Sequence, residues 1–260
     1  MLKIDIRRGK ILQKLKDEGT VSVTKLAAEL GATAVTIRSD LDALEKDGYL
    51  VRVQGGAVQK PQKPSSDLDR VGGHIEKREE KVAIAKAIAK RIQDGDTLFL
   101  NSGTTIQLVA AALREHKNLN IVTNALSVAM ELGSVPTFRV ILLGGEINTM
   151  YGFTHGYDAQ EQLSHYQADR AILTLDGFSA SNGMTTYHAE ESSINQRMMA
   201  QAKEVIVAAD STKIGRTGFF RFNGAEEAAM LITDNKAPRE AVEEIRRQGV
   251  AVVLADGEEQ

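Results

Sequence analysis

The sequence lacks cysteine altogether and is poor in proline and aromatic residues. Without a thiol there can be no disulfide, no thiolate nucleophile and no cysteine zinc site, and a reducing compartment is the natural expectation. No apolar run approaches the roughly 18 residues that a membrane span needs. The first ten residues are rich in charge and do not resemble a secretory leader. These absences predict a cytoplasmic protein with no membrane partner.

Signatures of metal and nucleotide chemistry are also missing. The five histidines show no clear metal-ligand spacing, so we expect no metal centre. The sequence contains neither a G-x-G-x-x-G fingerprint nor a phosphate-binding loop that ends in Gly-Lys-Ser/Thr. We therefore expect no nucleotide cofactor.

The formal net charge of −3 hides an asymmetry along the chain. Residues 1–60 contain 11 Lys/Arg and 8 Asp/Glu, whereas the remaining residues contain 21 and 27. A basic segment in front of an acidic body is typical of an attached nucleic-acid module. An excess of three positive charges is also common by chance, so the asymmetry alone does not decide between these interpretations.

Three helical patterns and a hairpin open the chain. The second pattern begins after a good N-cap, Ser22, and stops at Gly31, and the third begins near Thr33. Residues 49–53 are typical of a strand and lead into a tight Gly-Gly turn. Helix, short helix, helix and hairpin is the order of a winged helix-turn-helix, which we assign to residues 1–58.

The rest of the chain has a different character. Residues 59–75 are rich in proline, serine and glycine, which indicates a linker. Residues 76–260 alternate short apolar runs with helical segments, which predicts a Rossmann-like α/β domain with a mostly parallel sheet and helices on both faces. We expect this domain to bind an effector and to form the oligomer. The apolar runs are 97–100, 120–122, 139–143, 171–175, 205–208, 230–232 and 250–254.

The third helix offers a polar side that could read DNA. Its apolar stripe, which includes Ile37, Leu41 and Leu44, must face the core, so short hydroxyl side chains and one arginine face outward. Such side chains can approach base edges and phosphates in a major groove. The alternative is a helical packing or protein-docking unit whose polar side is only solvated. The candidate DNA contacts are Lys25, Thr33, Thr36, Arg38, Ser39, Arg52 and Gln54.

Polar residues follow five of the predicted strands. Ligands of open α/β sheets bind outside the carboxyl ends of the strands, so these residues are candidates for an effector site. The segment 101–105, NSGTT, suits an anion held at a helix start, and Lys213 could supply a compensating charge. For any single residue, capping a helix or turn is an equally good explanation. The candidates are Asn101, Ser102, Gly103, Thr104, Thr105, Thr123, Asn124, Gly144, Gly145, Glu146, Asp176, Gly177, Glu190 and Lys213.

The segment 35–57, VTIRSDLDALEKDGYLVRVQGGA, resembles the signature of the DeoR family of bacterial transcription regulators. Ser39 stands where that family usually has a second arginine. The loss of one guanidinium removes a contact to a base or phosphate, and a mismatched base contact typically costs about 1–3 kcal/mol. The matching residues are Thr36, Ile37, Arg38, Asp40, Leu41, Leu44, Gly48, Arg52, Gly55, Gly56 and Ala57.

The second part of the chain resembles the effector domain of the same family, which is similar in fold to ribose phosphate isomerase. The resemblance implies that the matching positions surround a phosphorylated sugar or similar metabolite. Asn101 stands where the family more often has Asp. The matching pieces are Gly103 to Thr105, Thr123 and Asn124, Gly144 to Glu146, Asp176 and Gly177, Glu190, and 210–216.

Fold analogy leaves an isomerase-like enzyme as the main rival to a sensor. The isomerases carry Asp-Gly-Ala-Asp-Glu where this chain has the segment 176–180, DGFSA, so the later carboxylates are missing. We therefore expect a non-enzymatic repressor of a carbohydrate catabolism operon, acting on double-stranded operator DNA. Two half-sites imply a homo-oligomer, either a dimer or a tetramer. The effector can release or strengthen DNA binding, since coupling allows either sign.

Overall fold

In a computed structural model of the protein, residues 4–18, 20–46, 49–53, 55–59 and 75–255 are described. The chain divides into two compact units, Met1–Pro64 and Ser65–Gln260. The first is a small helical unit with a three-stranded sheet, and the second is a larger α/β unit. The predicted fold class is confirmed.

The N-terminal unit follows the order of a winged helix-turn-helix. Its elements are α1 (Ile4–Glu18), β1 (Thr20–Ser22), α2 (Val23–Leu30), α3 (Ala34–Lys46), β2 (Leu50–Val53) and β3 (Gly56–Gln59). The Ser22 hydroxyl accepts from the Lys25 backbone N–H at 3.2 Å and starts α2. Gly31 ends α2 in the left-handed region, with φ of 60°. Strands β2 and β3 form the antiparallel wing, and β1 pairs with the other edge of β3.

Helix α3 is fixed on its inner side by apolar packing and by a buried ion pair. Ile37, Leu41 and Leu44 are fully buried, as the periodicity predicts. Asp40 lies beside them and is also buried. Its carboxylate accepts from the Arg7 guanidinium, through Nε and through Nη2 at 3.1 Å, and from Arg8 Nε at 3.3 Å. Helix α1 therefore holds α3 through a charge cluster as well as through the core.

The C-terminal unit is built on a parallel sheet of seven strands, in the spatial order β15-β14-β12-β9-β4-β5-β6. Every neighbouring pair in this sheet is parallel. All seven apolar runs predicted from the sequence are strands of this sheet. The strands are β4 (Thr97–Leu100), β5 (Asn120–Thr123), β6 (Arg139–Leu142), β9 (Ala168–Leu173), β12 (Ala202–Ala208), β14 (Met230–Asp234) and β15 (Ala251–Ala255).

Helices cover both faces of the sheet, and each face has its own buried apolar cluster. One cluster joins the sheet to α4, α5 and α6, and the other joins it to α7, α8 and α9. Along β4, Leu98 and Leu100 belong to the first cluster and Phe99 to the second, as strand alternation requires. The helices are α4 (Arg78–Ala89), α5 (Thr104–Leu113), α6 (Leu126–Gly133), α7 (Tyr157–Ser164), α8 (Ala189–Ala200) and α9 (Arg239–Arg247).

Two smaller sheets, which the periodicity does not predict, lie outside the main sheet. Strands β7 (Glu146–Asn148) and β8 (Phe153–His155) form a hairpin. Strands β10 (Gly177–Ser179), β11 (Gly183–Thr186) and β13 (Phe220–Asn223) form the other sheet. Both begin close after the carboxyl ends of main-sheet strands.

The chain reverses its direction across the sheet between β4 and β9. It leaves β4 for β5 and β6 on one side, then returns to β9 on the other side of β4. A reversal of this kind opens a crevice at the carboxyl ends of the two central strands, which is where open α/β sheets bind ligands. Among the described residues, no helix is long and apolar enough to cross a membrane.

Candidate functional site

The crevice at the β4–β9 boundary is closed at its base by the side chain of Asn101. Its Nδ2 donates to the Thr174 carbonyl at 2.9 Å and to Asn195 Oδ1 at 3.0 Å. Its Oδ1 accepts from the Thr174 backbone N–H at 2.9 Å. The predicted effector contact Asn101 is therefore occupied by these protein partners, and it sets the floor of the crevice.

Helix α5 begins directly above this floor. Gly103 precedes it with φ of 128°, and a Cβ at that position would lie 2.6 Å from the Thr174 methyl group. Ser102 and Thr105 are buried, and Thr104 is exposed. No side chain within the described residues caps this helix start. Its unpaired N–H groups and its dipole favour an anion.

Two lysines stand at the same place. Lys81 lies in the first turn of α4, and its Nζ donates to Thr104 Oγ1 at 3.0 Å and lies 3.7 Å from Asp210 Oδ2. Lys213 Nζ lies 3.5 Å from Asp176 Oδ1. Both lysine–carboxylate distances exceed that of a good hydrogen bond, so these pairs are loose.

The lysines also act on each other. Burial lowers the pKa of Lys81, the Asp210 carboxylate opposes that shift, and the positive charge of Lys213 adds to it. Two partly buried cations that repel each other beside an uncapped helix start are stabilised by an anion placed between them. This arrangement suits a phosphate group.

The Asp176 side of the crevice carries a second carboxylate. Thr186 Oγ1 lies 3.1 Å from Asp176 Oδ2 and 2.6 Å from Glu191 Oε2. Burial raises the pKa of Glu191 to about 8, and the nearby charge of Asp176 adds to the shift. Glu190, the residue predicted from the sequence, is half-buried at the neighbouring position of α8.

The far wall of the crevice is built around the β5 tip. Thr123 Oγ1 accepts from the Ala125 backbone N–H at 3.0 Å. Asn124 Nδ2 donates to the Thr154 carbonyl at 3.0 Å and fixes the β7–β8 hairpin. Its buried Oδ1 has no hydrogen-bond partner in the part of the chain that the structure describes. A buried acceptor in this state is a candidate ligand contact.

The hairpin meets α8 through an aromatic contact. The rings of Tyr151 and His188 have centroids 4.8 Å apart. Because His188 directly precedes α8, this contact links the Asn124 side of the crevice to the Glu191 side.

The remaining predicted residues have packing roles or lie at the rim. A Cβ at Gly145 would lie 2.4 Å from the His155 carbonyl oxygen, and one at Gly177 would lie 2.7 Å from the Arg216 carbonyl oxygen. Gly144 donates its N–H to Gln162 Oε1 at 2.9 Å. Glu146 is exposed on β7. The glycines therefore permit close chain approach, which explains them without a ligand.

On the N-terminal unit, the outer side of α3 is open to solvent. Arg38 and Ser39 are exposed, and within the described residues no hydrogen bond or ion pair engages Arg38. Thr33 Oγ1 accepts from the Thr36 backbone N–H at 3.1 Å and caps the helix, so both predicted hydroxyls lie at its first turn. Lys25 is exposed on α2. This face can present a cation to DNA.

The predicted wing contact Arg52 is engaged within the protein. Its Nε donates to Asp42 Oδ1 on α3 at 2.8 Å, and its Nη1 donates to the Gly56 carbonyl. Its backbone N–H donates to Glu45 Oε1 at 2.6 Å. Arg52 thus connects the wing to α3. The other wing candidate, Gln54, lies outside the described residues.

Sequence reasoning missed Lys81, Glu191 and Thr186. Lys81 stands in an alanine- and lysine-rich helix whose pattern resembles any solvated helix. Glu191 is adjacent to the predicted Glu190, and the pattern does not show which of the two turns inward. Thr186 ends a short strand that the periodicity does not predict.

Models of two protein domain families match the two units of the chain. Residues 7–63 match the DeoR-like helix-turn-helix domain, and residues 76–235 match the DeoR C terminal sensor domain. The chain belongs to the DeoR family. It is a DNA-binding transcription regulator with a sensor domain.

Several curated relatives of this DeoR-family chain are repressors. The lactose phosphotransferase system repressor of Lactococcus lactis is 35% identical over 257 residues, which cover 96% of this chain and 98% of that protein. The transcriptional repressor GlcR of Bacillus subtilis is 31% identical over 96% of this chain and 95% of its own length. The glycerol-3-phosphate regulon repressor of Escherichia coli is 32% identical over 89% and 91%.

Solved structures give a weaker likeness. Ribose 5-phosphate isomerase A from Neisseria gonorrhoeae overlays with a TM-score of 0.39 at 15% identity, over 54% of this chain and 55% of that chain. A likeness of this size carries no argument about activity.

Proposed function

We propose that this protein represses a carbohydrate-use operon and that a phosphorylated sugar or similar metabolite, bound in the β4–β9 crevice, controls its DNA affinity. The observation that carries the proposal is Lys81 at the uncapped start of α5, together with Lys213, whose charge is close enough to act on Lys81. Names of relatives that mention a phosphotransferase system and a glycerol-3-phosphate regulon support the ligand class.

The coupling is thermodynamic. A ligand that binds one arrangement of the protein better than another shifts the population toward that arrangement. The factor by which the ligand changes the DNA affinity equals the factor by which DNA changes the ligand affinity. We propose that ligand binding releases the protein from DNA. Two half-sites on a duplex require at least two recognition helices, so we also propose a homo-oligomer. Sedimentation of the free protein and of its DNA complex measures the stoichiometry.

A thermal-shift screen tests the ligand class. We expect one or more phosphorylated sugars to raise the melting temperature, whereas their unphosphorylated forms do not, because a ligand of the native state stabilises it by mass action. Lys81→Met and Lys213→Met should each remove the shift. Lys203→Met is the matched control, because Lys203 is an exposed lysine paired with Asp169, distant in the strand from the tip of β12. A shift that survives both crevice substitutions would place the ligand elsewhere.

DNA recognition is tested at Arg38. Arg38→Ala should lower operator affinity by about ten- to a hundredfold and relax base preference at one position, since a bidentate base contact discriminates by about 1–3 kcal/mol. Arg247→Ala removes the same charge from α9 and should leave operator affinity within about twofold. Binding should also weaken steeply with salt. Equal affinities for the Arg38 variant and the wild type would rule out this assignment.

The rival function, sugar-phosphate isomerisation, draws on one observation. A carboxylic acid with a pKa of about 8 beside a second carboxylate is suited to proton transfer. A turnover assay on the sugar phosphates that stabilise the protein decides this. We expect no conversion, and turnover that disappears in Glu191→Gln would establish the enzyme instead.

A further inference from the structure

The Thr186 hydroxyl lies between two carboxyl groups. Its Oγ1 is 2.6 Å from Glu191 Oε2 and 3.1 Å from Asp176 Oδ2, and it also accepts from the His188 backbone N–H at 3.3 Å. A threonine hydroxyl has one proton to donate. It can therefore satisfy one carboxylate, and the other carboxyl group must bring a proton of its own.

The surroundings decide which group carries that proton. Asp176 accepts from the Tyr187 backbone N–H at 3.0 Å and faces Lys213 Nζ at 3.5 Å, so its negative charge is compensated. The charged groups that face Glu191 are Asp176 and Glu190, which are acidic, and Lys213, whose effect is the smallest of the three. Burial and the carboxylate of Asp176 raise the pKa of Glu191 to about 8. We therefore assign the proton to Glu191.

We propose that the protonated Glu191 carboxyl positions Lys213 for the anionic group of the effector. Glu191 donates to Thr186 Oγ1, Thr186 donates to Asp176, and Asp176 holds the Lys213 ammonium at the mouth of the crevice. The ligand of this arrangement is a phosphate ester, so this part of the inference rests on the proposed function. The positioning residue itself touches no ligand.

Loss of the Glu191 proton changes this chain of hydrogen bonds. The ionised carboxylates of Glu191 and Asp176 then compete for the proton of one hydroxyl. Their combined negative charge attracts the Lys213 ammonium away from the position where it would bind the anion. Anion binding should therefore weaken as the pH rises past neutrality. A phosphate ester alone behaves differently, because its second ionisation near pH 6 adds negative charge and favours binding to a cation.

The protonation state can be measured without any ligand. In protein labelled with ¹³C at glutamate side chains, the carboxyl resonance that is missing in Glu191→Gln reports on Glu191. We expect its titration midpoint near pH 8, and Glu190→Gln, the neighbouring control, should retain this resonance with a somewhat lower midpoint, because the charge of Glu190 adds to the upward shift. A midpoint near the ordinary value of 4.5 would overturn the inference.

The positioning role is tested with inorganic phosphate as the probe, and affinities are calculated for its dianion because phosphate itself titrates in this pH range. For the wild type, affinity should fall about tenfold between pH 7 and pH 9, which is the loss of the protonated fraction around a midpoint of 8. Glu191→Gln keeps a neutral hydrogen-bond donor, so it should bind as the wild type does at pH 7 and hold that affinity at pH 9. Glu191→Ala should bind weakly throughout.

The outcomes separate the two proposals. An equal decline in the wild type and in Glu191→Gln would overturn the positioning role and assign the pH dependence to Lys81, whose pKa is lowered. Failure of the wild type at pH 7 to bind either phosphate or any phosphorylated sugar would overturn the proposed anion site itself, and with it this inference.

Discussion

The two surfaces that are expected to bind anions treat their positive charges in opposite ways. On the outer side of α3, Arg38 is exposed and carries no intramolecular partner within the described residues. In the crevice, Lys81 and Lys213 are mostly shielded from solvent, and each lies within 4 Å of a carboxylate. The difference is the one that the two proposed ligands require. DNA is a long polyanion that approaches a solvated surface, whereas a small anion needs cations placed in advance.

Placing cations in advance has a structural consequence. A buried lysine without a counterion is costly, so the crevice contains carboxylates that neutralise the lysines while no ligand is bound. The DNA-binding face needs no such partners because water solvates its charges. The buried ion pairs of the N-terminal unit therefore belong to its inner side, where they stabilise the fold.

The largest effect is expected at that inner side. Asp40→Ala leaves the guanidinium groups of Arg7 and Arg8 without their shared buried carboxylate. We expect the free energy of unfolding of the N-terminal unit to fall by about 3–5 kcal/mol, as for other broken buried pairs. Urea denaturation followed by circular dichroism measures this. Asp42→Ala, which removes an exposed partner of Arg52, should change it by less than about 1 kcal/mol. Equal losses would remove the distinction between inner and outer charges.

The next effect is a pH dependence that only the crevice should show. The pKa of Glu191 is raised from an ordinary 4.5 to about 8 on folding. The resulting stability is fully present below pH 4.5 and is lost as the pH rises through 8, by an amount on the order of 2–4 kcal/mol. Glu191→Gln cannot lose a proton. Its free energy of unfolding in urea should therefore rise relative to that of the wild type between pH 5 and pH 9. Parallel curves for the two proteins would contradict the assignment.

A smaller effect is expected at the start of α5. Gly103→Ala introduces a Cβ that would lie 2.6 Å from the Thr174 methyl group, at a φ of 128°. We expect a loss of about 1–3 kcal/mol in the stability of the C-terminal unit, together with weaker anion binding. Gly133→Ala is the control, because a Cβ there meets nothing within 4 Å and should stabilise α6 by about 0.4–1 kcal/mol. Thermal unfolding of both variants distinguishes a required glycine from a tolerant one.

The smallest effect concerns the wing, where the comparison can be sharpened. Asp42→Asn removes the exposed carboxylate that pairs with Arg52 at 2.8 Å. Protein stability should change by less than about 1 kcal/mol. The freed guanidinium can then reach a DNA phosphate, so operator affinity should rise a few-fold and the salt slope should steepen by about one. Adding Arg52→Ala should abolish the gain. If the gain persists without Arg52, the removed negative charge alone explains it.

Local patterns predicted much of the fold because the responsible interactions are local. The apolar runs of the main sheet and the caps at Ser22 and Gly31 depend on neighbouring residues, and the structure shows them at those positions. The β7–β8 hairpin and the β10-β11-β13 sheet were not predicted. Their strands have only three or four residues, and their pairing is decided by contacts with distant parts of the chain.

The candidate site shows the same limit. The residues that follow each strand were predictable from the apolar runs. Of these, Asp176 and Lys213 lie 3.5 Å apart beside the crevice. Lys81 reaches it from a helix 23 residues before Thr104, and helix periodicity does not show what a neighbouring element will bring near. The ion pair between Arg52 and Asp42 was not predictable either, because it depends on how the wing packs against α3.

The side chain of Asn101 has a consequence for how the sensor unit can respond to a ligand. Its amide donates to and accepts from the same residue, Thr174, and so reproduces one rung of the β ladder beyond the last paired residues of β4 and β9. A carboxylate at this position could accept but could not donate, so the bond to the Thr174 carbonyl would be lost. Because of these two hydrogen bonds, β4 and β9 stay joined up to their carboxyl ends. We therefore expect the sheet to remain still and the movement to come from the helices and hairpins above it.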